Sequence, residues 1–259
     1  MYEKELKVAL EAAAASAELI KKVYATDFDV EIKSDSSPVT EADKGADALI
    51  REIIGAAFPR HGFLTEESKD DKKRLKKEFV WIIDPVDGTK DFVSKDDEFT
   101  TNIALCRNHE IVLGIINVPM KNLVYYAIKG EGSYRKDGKG KISLLRVNDK
   151  TDNLTVLASR SFFNLQEKAL IEKHSDKIVN IARLGAATKF CAIAEGQAEI
   201  SYRMSANTKE WDTAAGDLIL SEAGGFLLQP DGTPLTYNRD DVYNRNGYLL
   251  LNKKENFLI

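Results

Sequence analysis

The residues of this chain that are best suited to chemistry lie in the segment WIIDPVDGTKDF, residues 81–92. An apolar run leads into Asp84, and a second carboxylate, Asp87, follows three positions later. Since proline cannot donate to a sheet ladder, we predict that Pro85 makes the chain turn after Asp84. Gly88 would then let the backbone approach a ligand closely. Two carboxylates and a glycine at the end of an apolar strand therefore form a candidate site.

The GTKDF part of the segment predicts the start of a helical turn, whose first backbone N–H groups have no partner within the helix. Such an N-terminus attracts an anion such as phosphate, which the two carboxylates would repel unless cations lay between them. Carboxylates, the main-chain carbonyl of Val86 and a phosphate together form an oxygen-only ligand set, which suits Mg²⁺. The residues therefore predict metal-assisted phosphoryl chemistry.

Two further acidic segments are TEES, with Glu66 and Glu67, and EWDTAAGD, with Asp212. Each segment has a simpler interpretation when it is taken alone. The DPVDG residues are common in surface turns, adjacent glutamates are usually solvated, and Asp212 would favour the first turn of its helix. Their occurrence together favours a site, because each acidic group lies at the end of an element and next to apolar residues that fix it.

The elements that position these groups differ between the two halves of the chain. In the first half we predict helices over residues 2–25 and from Glu41, the second capped by Thr40. Apolar strands follow at FVWII, EFTTNIALCRN, EIVLGIINVP, NLVYYAIKG and GSYRKDG, as an antiparallel meander. The charged run SKDDKKRLKKE is interpreted as a solvated loop or a short exposed helix.

In the second half, strands and helices alternate. Predicted strands are NLTVLASR, KIVNIA, AEISYR and NGYLLLN, and predicted helices are LQEKALIEKH, GAATKFCAIAEG and EWDTAAGDLILSEAGG. This alternation is typical of a three-layer α/β unit. We therefore predict an α+β lobe over residues 1–140, with two N-terminal helices, an antiparallel sheet and most of the metal ligands. An α/β lobe over residues 150–259 would carry Asp212 and the leaving-group pocket.

Composition narrows the class of protein. The 259 residues are 43% hydrophobic and 30% charged, with a formal net charge of −4. A nucleic-acid-binding surface is therefore not expected as the main function. No apolar run approaches the roughly 20 residues of a membrane span, and acidic residues make the N-terminal segment an amphipathic helix rather than a leader. Cys106 and Cys191 are expected to be buried thiols in a reducing compartment, which predicts a cytoplasmic protein.

The segments TEE, DPVDGTKDF and WDTAAGDLILSEAGG resemble the three signatures of the inositol monophosphatase superfamily. The resemblance extends from SPVTEADKGAD to AGG, most of the chain. The segments VLASRSF, LGAATKFCAIAEGQAEI and DGTPLTYN are similar to the bacterial 3'(2'),5'-bisphosphate nucleotidase branch, which acts on an adenosine bisphosphate left by sulfate assimilation. The resemblance implies a two-lobed, layered α-β-α-β-α sandwich and a lithium-sensitive, Mg²⁺-dependent phosphatase.

The resemblance also implies a set of metal ligands. It places Glu66, Asp84 and the Val86 carbonyl on one Mg²⁺, and Asp84, Asp87 and Asp212 on a second; some members bind a third, weaker ion. In this family a water activated by the metal attacks the phosphorus in line, and the second ion neutralises the leaving alkoxide. The resemblance makes Glu66 catalytic as well as a ligand.

Further roles follow from the same motifs. The N–H groups of Gly88 and Thr89 would cradle the scissile phosphate, to which Asp87 and Asp212 also lie close. The Thr89 hydroxyl, paired with Asp43, would take the proton of the attacking water. The residues alone favour a different interpretation of Asp43, a solvated carboxylate in the first turn of a helix.

The segment KSDSSPVT, residues 33–40, matches a loop that closes over the metals in this family. Its Ser, Asp and Pro residues leave it little to pack, so a loop is also expected from its composition. Lys33 would reach a phosphate there or simply be solvated. Glu67 would either orient a neighbouring ligand or be a plain surface residue.

The second lobe is expected to choose the leaving group. Lys189 matches a lysine beside the nucleotide in the branch, and Gly185, at the start of the same helix, would admit the sugar or the second phosphate there. The alternative for Lys189 is an ordinary surface lysine. Arg160 is expected to face the same pocket. Phe162 departs from the branch, which usually has histidine at this position, although a phenylalanine could still stack on a base.

The sequence therefore predicts a phosphomonoesterase that converts adenosine 3',5'-bisphosphate, and also 3'-phosphoadenylyl sulfate, by removing the 3' phosphate. The first alternative is an inositol monophosphatase or a related small-molecule phosphatase, and a more distant one is an inactive phosphate- or nucleotide-binding module. We expect two or three Mg²⁺ ions, inhibition by Li⁺ and Ca²⁺, a small phosphorylated partner, no nucleic acid and no integral membrane association. Either a monomer or a homodimer is compatible with the resemblance.

Overall fold

The computed structural model describes residues 1–33 and 38–259. Its helices are α1 Glu3–Tyr24, α2 Glu41–Ala57, α3 Thr89–Val93, α4 Leu165–Lys173, α5 Thr188–Ala194 and α6 Glu210–Glu222. Its strands are β1 Val30–Ile32, β2 Pro38–Thr40, β3 Gly62–Thr65, β4 Phe79–Asp87, β5 Thr100–Arg107, β6 Glu110–Val118, β7 Leu123–Ile128, β8 Gly132–Lys136, β9 Ile142–Leu144, β10 Leu154–Ser159, β11 Ile178–Leu184, β12 Ile200–Arg203, β13 Phe226–Leu228 and β14 Tyr248–Leu251. Short 3₁₀ helices lie at Lys73–Lys76, Pro119–Lys121 and Lys254–Asn256.

Two sheets form the framework. A seven-stranded sheet has the order β3-β4-β5-β6-β7-β8-β9 and is antiparallel except for the parallel pair β3–β4. A five-stranded sheet has the order β11-β10-β12-β14-β13, with β10 parallel to both of its neighbours. All strands of the larger sheet precede all strands of the smaller one in the chain, so each sheet is built from one half of the sequence.

The helices cover these sheets in layers. Side chains of α1 and α2 pack on one face of the large sheet, and those of α5 and α6 fill the space between the two sheets. Residue Ile171 of α4 packs on the far face of the small sheet. The layered α-β-α-β-α sandwich expected from the resemblance is confirmed.

Helix α6 comes from the second half of the chain but packs directly on the large sheet. A Cβ atom at Gly114 of β6 would lie only 2.6 Å from the Ala215 carbonyl oxygen of α6. A glycine at this point therefore lets helix and sheet approach closely. This contact carries Asp212, at the start of α6, to the strands that hold the other carboxylates.

The strand before the acidic motif is longer than predicted. Strand β4 does not turn after Asp84 but continues through Pro85 to Asp87, and the turn comes at Gly88. The ladder accommodates the proline with a bulge, a standard way for a strand to tolerate a residue that cannot donate. The predicted turn at Pro85 was therefore wrong by three residues, and the correction matters for the site.

The charged run before β4 is also less solvated than predicted. It contains the 3₁₀ helix Lys73–Lys76, and Arg74 within it is buried, with 2% of its surface exposed. The Arg74 guanidinium pairs with Asp70 and donates to the Asn238 side chain and the Arg239 carbonyl. A charge that is paired in this way can be buried, and it connects the two halves of the chain.

Candidate active site and metal centre

A cavity of about 410 Å³ opens where the two halves of the chain meet. This is within the usual range for small-ligand sites, which is about 300–1,000 Å³. Most of the residues predicted for the site line it, from both halves of the chain: Glu66, Asp84, Val86, Asp87, Gly88, Thr89, Lys189 and Asp212. The tertiary structure therefore brings together groups that are up to 146 positions apart (212 − 66).

The bulge in β4 aims both aspartates of the motif at this cavity. Asp84 pairs with Asn102 and Asp87 with Thr100, so β4 takes three steps where β5 takes two. In a regular strand, residues three apart point to opposite faces. The extra residue of the bulge cancels that alternation. The Thr101 hydroxyl donates to the Pro85 carbonyl at 2.9 Å and holds the bulge in place.

Three carboxylates converge at the inner end of the cavity. Each of Asp84, Asp87 and Asp212 offers an oxygen atom, and these atoms all lie within 4.8 Å of one another. Burial, followed by repulsion from Glu66 and Asp87, raises the pKa of Asp84 well above its ordinary value. Burial, together with the charges of Asp87 and Glu66, raises the pKa of Asp212 to about 7. The cluster is electrostatically unfavourable as long as nothing positive balances it.

The residues present fit a small divalent cation. Oδ1 of Asp84 is buried and has no hydrogen-bond partner within the described residues, whereas buried polar atoms normally have one. The available donors are carboxylate oxygens and the carbonyl of the buried Val86. Hard oxygen donors in this number suit Mg²⁺, Mn²⁺ or Ca²⁺ rather than a soft metal.

Asp87 is oriented by two side chains of β5. Its carboxylate accepts from the Asn102 amide at 3.2 Å and, more weakly, from the Thr100 hydroxyl at 3.4 Å. Burial raises its pKa, while the nearby Lys189 ammonium and the Asn102 hydrogen bond oppose the shift. These contacts fix one carboxylate oxygen on the β5 side of the cluster.

Asp43 and Thr89 form the predicted pair. The Thr89 hydroxyl lies 3.1 Å from Oδ1 of Asp43 and also 3.1 Å from the Val86 carbonyl oxygen. A hydroxyl has one proton, so these two acceptors compete for it. A cation on the Val86 carbonyl would leave Asp43 as the acceptor.

Asp43 also has a structural role at the start of α2. Its other oxygen accepts the N–H and the hydroxyl of Thr40, which caps α2 as predicted. Asp43 is 1% exposed, so the alternative of a solvated carboxylate is wrong. Burial raises its pKa, although the Thr40 and Thr89 hydrogen bonds oppose this.

Gly88 makes the turn that ends β4 and begins α3. Its φ of 92° lies in the left-handed region, and an added Cβ atom would lie 3.1 Å from the Glu98 carbonyl oxygen. Only glycine avoids both problems. Gly88 and Thr89 both line the cavity, and the resemblance predicts that their N–H groups contact the scissile phosphate there.

Lys33 is paired with acidic residues rather than solvated. Its ammonium donates to Glu66 at 3.0 Å and also to Glu67. Glu67 is largely buried, and burial raises its pKa to about 7 even though Lys33 opposes the shift. Glu67 is therefore not a plain surface residue. Of the predicted loop over residues 33–40, residues 34–37 lie outside the described part of the chain.

Of the residues predicted to contact the leaving group, Lys189 lines the cavity, whereas Gly185 and Arg160 do not. Lys189 lines the cavity, and its ammonium donates to the Ala186 carbonyl at 2.8 Å. Gly185 does not line it, and its N–H is already donated to Glu98 at 2.7 Å. Arg160 pairs with the same Glu98 at 2.8 Å, outside the cavity lining. Gly185 and Arg160 were expected to contact the substrate, but in the structure both bind Glu98 instead.

Sequence reasoning missed several residues of the lining. Lys90 and Asp91 belong to the quoted motif and could have been proposed from their position in it. Arg203, at the end of a predicted strand, gave a weaker signal of the same kind. Thr208 gave none, although its buried hydroxyl has no hydrogen-bond partner within the described residues.

The layered fold and the acidic cavity define a metal-dependent phosphatase. The chain belongs to the inositol monophosphatase family, whose model matches residues 1–256. The resemblance found in the sequence is thereby confirmed.

Individual relatives agree with this result. The chain is 34% identical to the 3'(2'),5'-bisphosphate nucleotidase CysQ of Shigella flexneri over 222 residues, which are 85% of this chain and 88% of that protein. It is similar to the crystal structure of CysQ from Bacteroides thetaiotaomicron, with a TM-score of 0.85 and 31% identity, covering 98% of this chain and 99% of that one. An inositol monophosphatase of Thermotoga maritima gives a TM-score of 0.80 at 25% identity, covering 97% and 92%.

Within residues 1–33 and 38–259, no helix combines the length and the apolar character needed to cross a membrane.

Proposed function

We propose that this enzyme is a Mg²⁺-dependent phosphomonoesterase that hydrolyses the 3' phosphate of adenosine 3',5'-bisphosphate to give AMP and phosphate. 3'-Phosphoadenylyl sulfate is a second proposed substrate. The observation that carries the proposal is that one cavity holds both an acidic cluster and cations, Lys90, Lys189 and Arg203. Such a cavity suits a ligand with two anionic groups, and the CysQ relatives are named for an activity on such a ligand.

The carboxylates Glu66, Asp84, Asp87 and Asp212, with the Val86 carbonyl, would hold Mg²⁺. When bound, the ion would supply Lewis-acid polarisation of the phosphate and a lower pKa for a neighbouring water. We expect Ca²⁺ to inhibit, because it takes more ligands at longer distances than Mg²⁺. Inhibition by Li⁺ is expected from the family.

Asp43 and Thr89 would move the proton of the attacking water. The Asp43 carboxylate accepts a hydrogen bond from the Thr89 hydroxyl, which leaves a lone pair on the threonine oxygen directed away from Asp43. When that lone pair takes a proton from a water in the cavity, the hydroxyl proton passes to Asp43, so the threonine stays neutral. The raised pKa of Asp43 makes its carboxylate a stronger base than an exposed aspartate.

The substrate is the point that most needs a test. Adenosine 3',5'-bisphosphate and inositol 1-phosphate are offered separately to the full-length enzyme at equal concentration with Mg²⁺, and phosphate release is measured. We expect faster release from the bisphosphate. Faster release from inositol 1-phosphate would overturn the proposal in favour of an inositol monophosphatase, the activity named for the Thermotoga maritima relative.

We place this activity in the cytoplasm, as expected from the two cysteines, which are both buried free thiols. The proposed enzyme acts as a monomer or a homodimer, and gel filtration with light scattering would distinguish the two.

A further inference from the structure

The loop over residues 238–244, between β13 and β14, lies against the start of α6, the helix that carries Asp212. The backbone N–H of Asn244 donates to the Thr208 carbonyl at 2.8 Å, and its side-chain amide donates to the Lys209 carbonyl at 3.0 Å. Asn244 is only 1% exposed, so water does not compete for these bonds. The 238–244 loop therefore fixes the peptide groups that precede the helix.

The peptide unit between Thr208 and Lys209 connects this loop to the acidic cluster. Its carbonyl accepts from Asn244, while its N–H, that of Lys209, donates to Oδ2 of Asp212 at 2.5 Å. A peptide unit is planar, so the bond that fixes its carbonyl also fixes the direction of its N–H. The Asp212 carboxylate is therefore oriented before any cation binds.

The 238–244 loop is held in turn by two buried charged side chains. The Glu210 carboxylate accepts the N–H groups of Asn238 at 2.6 Å and of Arg239 at 2.8 Å. Arg74, from the first half of the chain, donates to the Asn238 side chain at 2.7 Å and to the Arg239 carbonyl at 2.9 Å. The Arg239 guanidinium donates to Oδ1 of Asn244 at 2.7 Å, which leaves the amide nitrogen of Asn244 for the start of α6. Arg74 is thus connected to Asn244 through Arg239.

We propose that Asn244 and Arg74 are positioning residues for the cation site, a proposal that rests on the Mg²⁺ site proposed above. They touch neither the cation nor the substrate, and they set the place of the Asp212 carboxylate. Arg74 belongs to the half of the chain that carries Asp84 and Asp87, whereas the 238–244 loop belongs to the half that carries Asp212. The chain of hydrogen bonds therefore fixes ligands from the two halves relative to one another, and with them the affinity for Mg²⁺.

The test measures Mg²⁺ binding by isothermal titration calorimetry on the full-length, metal-free enzyme. We expect Asn244→Ala to weaken binding by about 10-fold, the lower end of the range for residues that orient a metal ligand. Arg74→Met should weaken it by less. The double variant should bind no more weakly than Asn244→Ala alone, because both residues act along one chain. Losses that add in the double variant would overturn the role of Arg74.

Asn252→Ala is the matched control. Asn252 is also buried, and its amide likewise donates to two backbone carbonyls, those of Asn148 at 3.1 Å and Lys150 at 2.9 Å, away from the cavity. It should lose stability but bind Mg²⁺ like the wild type, at a temperature where thermal unfolding shows every variant to be folded. Asn244→Ser, which keeps a shorter polar group, replaces Asn244→Ala if the latter does not fold.

Unchanged Mg²⁺ binding in the Asn244 variant, or an equal loss in Asn252→Ala, overturns the inference alone. A wild type that does not bind Mg²⁺ overturns the proposed cation site, and the inference with it.

Discussion

The acidic end of the cavity consists of short side chains held close to the backbone, whereas the cationic rim consists of long side chains that meet over a ring. Asp84, Asp87 and Asp212 are fixed by a bulge and by a helix start, and their charges repel one another. Lys90 and Arg203 reach their positions through several rotatable bonds and lie over the ring of Phe162.

This difference suggests a division of labour. A rigid cluster of buried like charges costs stability, and structures of this kind are typical of functional sites. A flexible rim costs little, and it can change during evolution without disturbing the chemistry. We therefore expect changes at the acidic end to affect catalysis and stability in opposite directions, and changes at the rim to affect only the choice of substrate.

The largest effect is expected for Asp87→Asn. Removing one negative charge from the cation site should lower kcat by about 10²- to 10³-fold, in line with the loss of one strong electrostatic group. The same change should raise the unfolding temperature without Mg²⁺, because it relieves repulsion in the cluster. Phosphate release and thermal unfolding measure the two effects.

Asp217→Asn is the matched control for this variant, because Asp217 is also a carboxylate in a mostly buried position but does not line the active-site cavity. It should retain full activity. Unchanged phosphate release in Asp87→Asn would show that the acidic end does not act through a cation and would favour a mechanism different from the one proposed.

The next effect is expected for Asp43→Asn. The amide keeps an oxygen that can accept from Thr89 but is a far weaker base, so kcat should fall by about 10²-fold with little change in KM. The fall should be accompanied by loss of a limb of the pH–rate profile. Since Asp43 also caps α2, thermal unfolding must be measured alongside. A variant that unfolds early but keeps its kcat at low temperature would assign Asp43 a purely structural role.

A smaller effect is expected for Lys33→Met. The Lys33 ammonium lies 3.0 Å from Glu66, a proposed ligand, and so competes with a cation for that carboxylate. Its removal should strengthen Mg²⁺ binding by about 2- to 5-fold, the size of a partly screened ion pair. Isothermal titration calorimetry measures this directly. Lys44→Met, which removes an exposed pair with Glu31, is the control, and weaker Mg²⁺ binding in Lys33→Met would contradict the prediction.

The smallest effect is expected for Asp217→Asn. The pKa of Asp217 is raised by burial, without the repulsion between neighbouring carboxylates that acts in the active-site cluster. Burial raises the pKa of Asp217 to about 6, although its hydrogen bond from Tyr237 opposes the shift. Because the folded protein holds this proton more tightly than the unfolded chain, stability from Asp217 is present below about pH 4 and is lost as the pH rises to about 6. Asp217→Asn should remove this part of the pH dependence, as measured by thermal unfolding from pH 4 to pH 7. An identical pH dependence in the variant would contradict the assignment.

Much of the fold was predictable from local patterns. Helices α1 and α2, the Thr40 cap and the alternation in the second half follow from periodicity and capping, which depend on near neighbours in the chain. Strand β4 was predicted too short because Pro85 ends most strands, and only pairing with β5 shows that a bulge absorbs it. Arg74 was expected in solvent because a charged run usually is, and its partners Asn238 and Arg239 lie more than 160 positions away.

Individual site residues also show that local sequence does not reveal partners from distant segments. Gly185 was a reasonable candidate for a substrate contact, but Glu98, from a distant segment, takes its N–H group. Thr208 carried no signal in the sequence, since a threonine before a helix usually serves as part of its start.

The sequence by itself determined the chemistry of the acidic end, because the carboxylates, the carbonyl and the glycine turn stand in contiguous motifs whose local geometry is set by sterics and hydrogen bonding. Only the tertiary structure decided that Asp212 joins Asp84 and Asp87, how strongly burial raises their pKa values, and which cations face them. Charges and long side chains interact through space, so their partners depend on how distant segments pack. The rim around Phe162 is the clearest case, since three separate elements meet there.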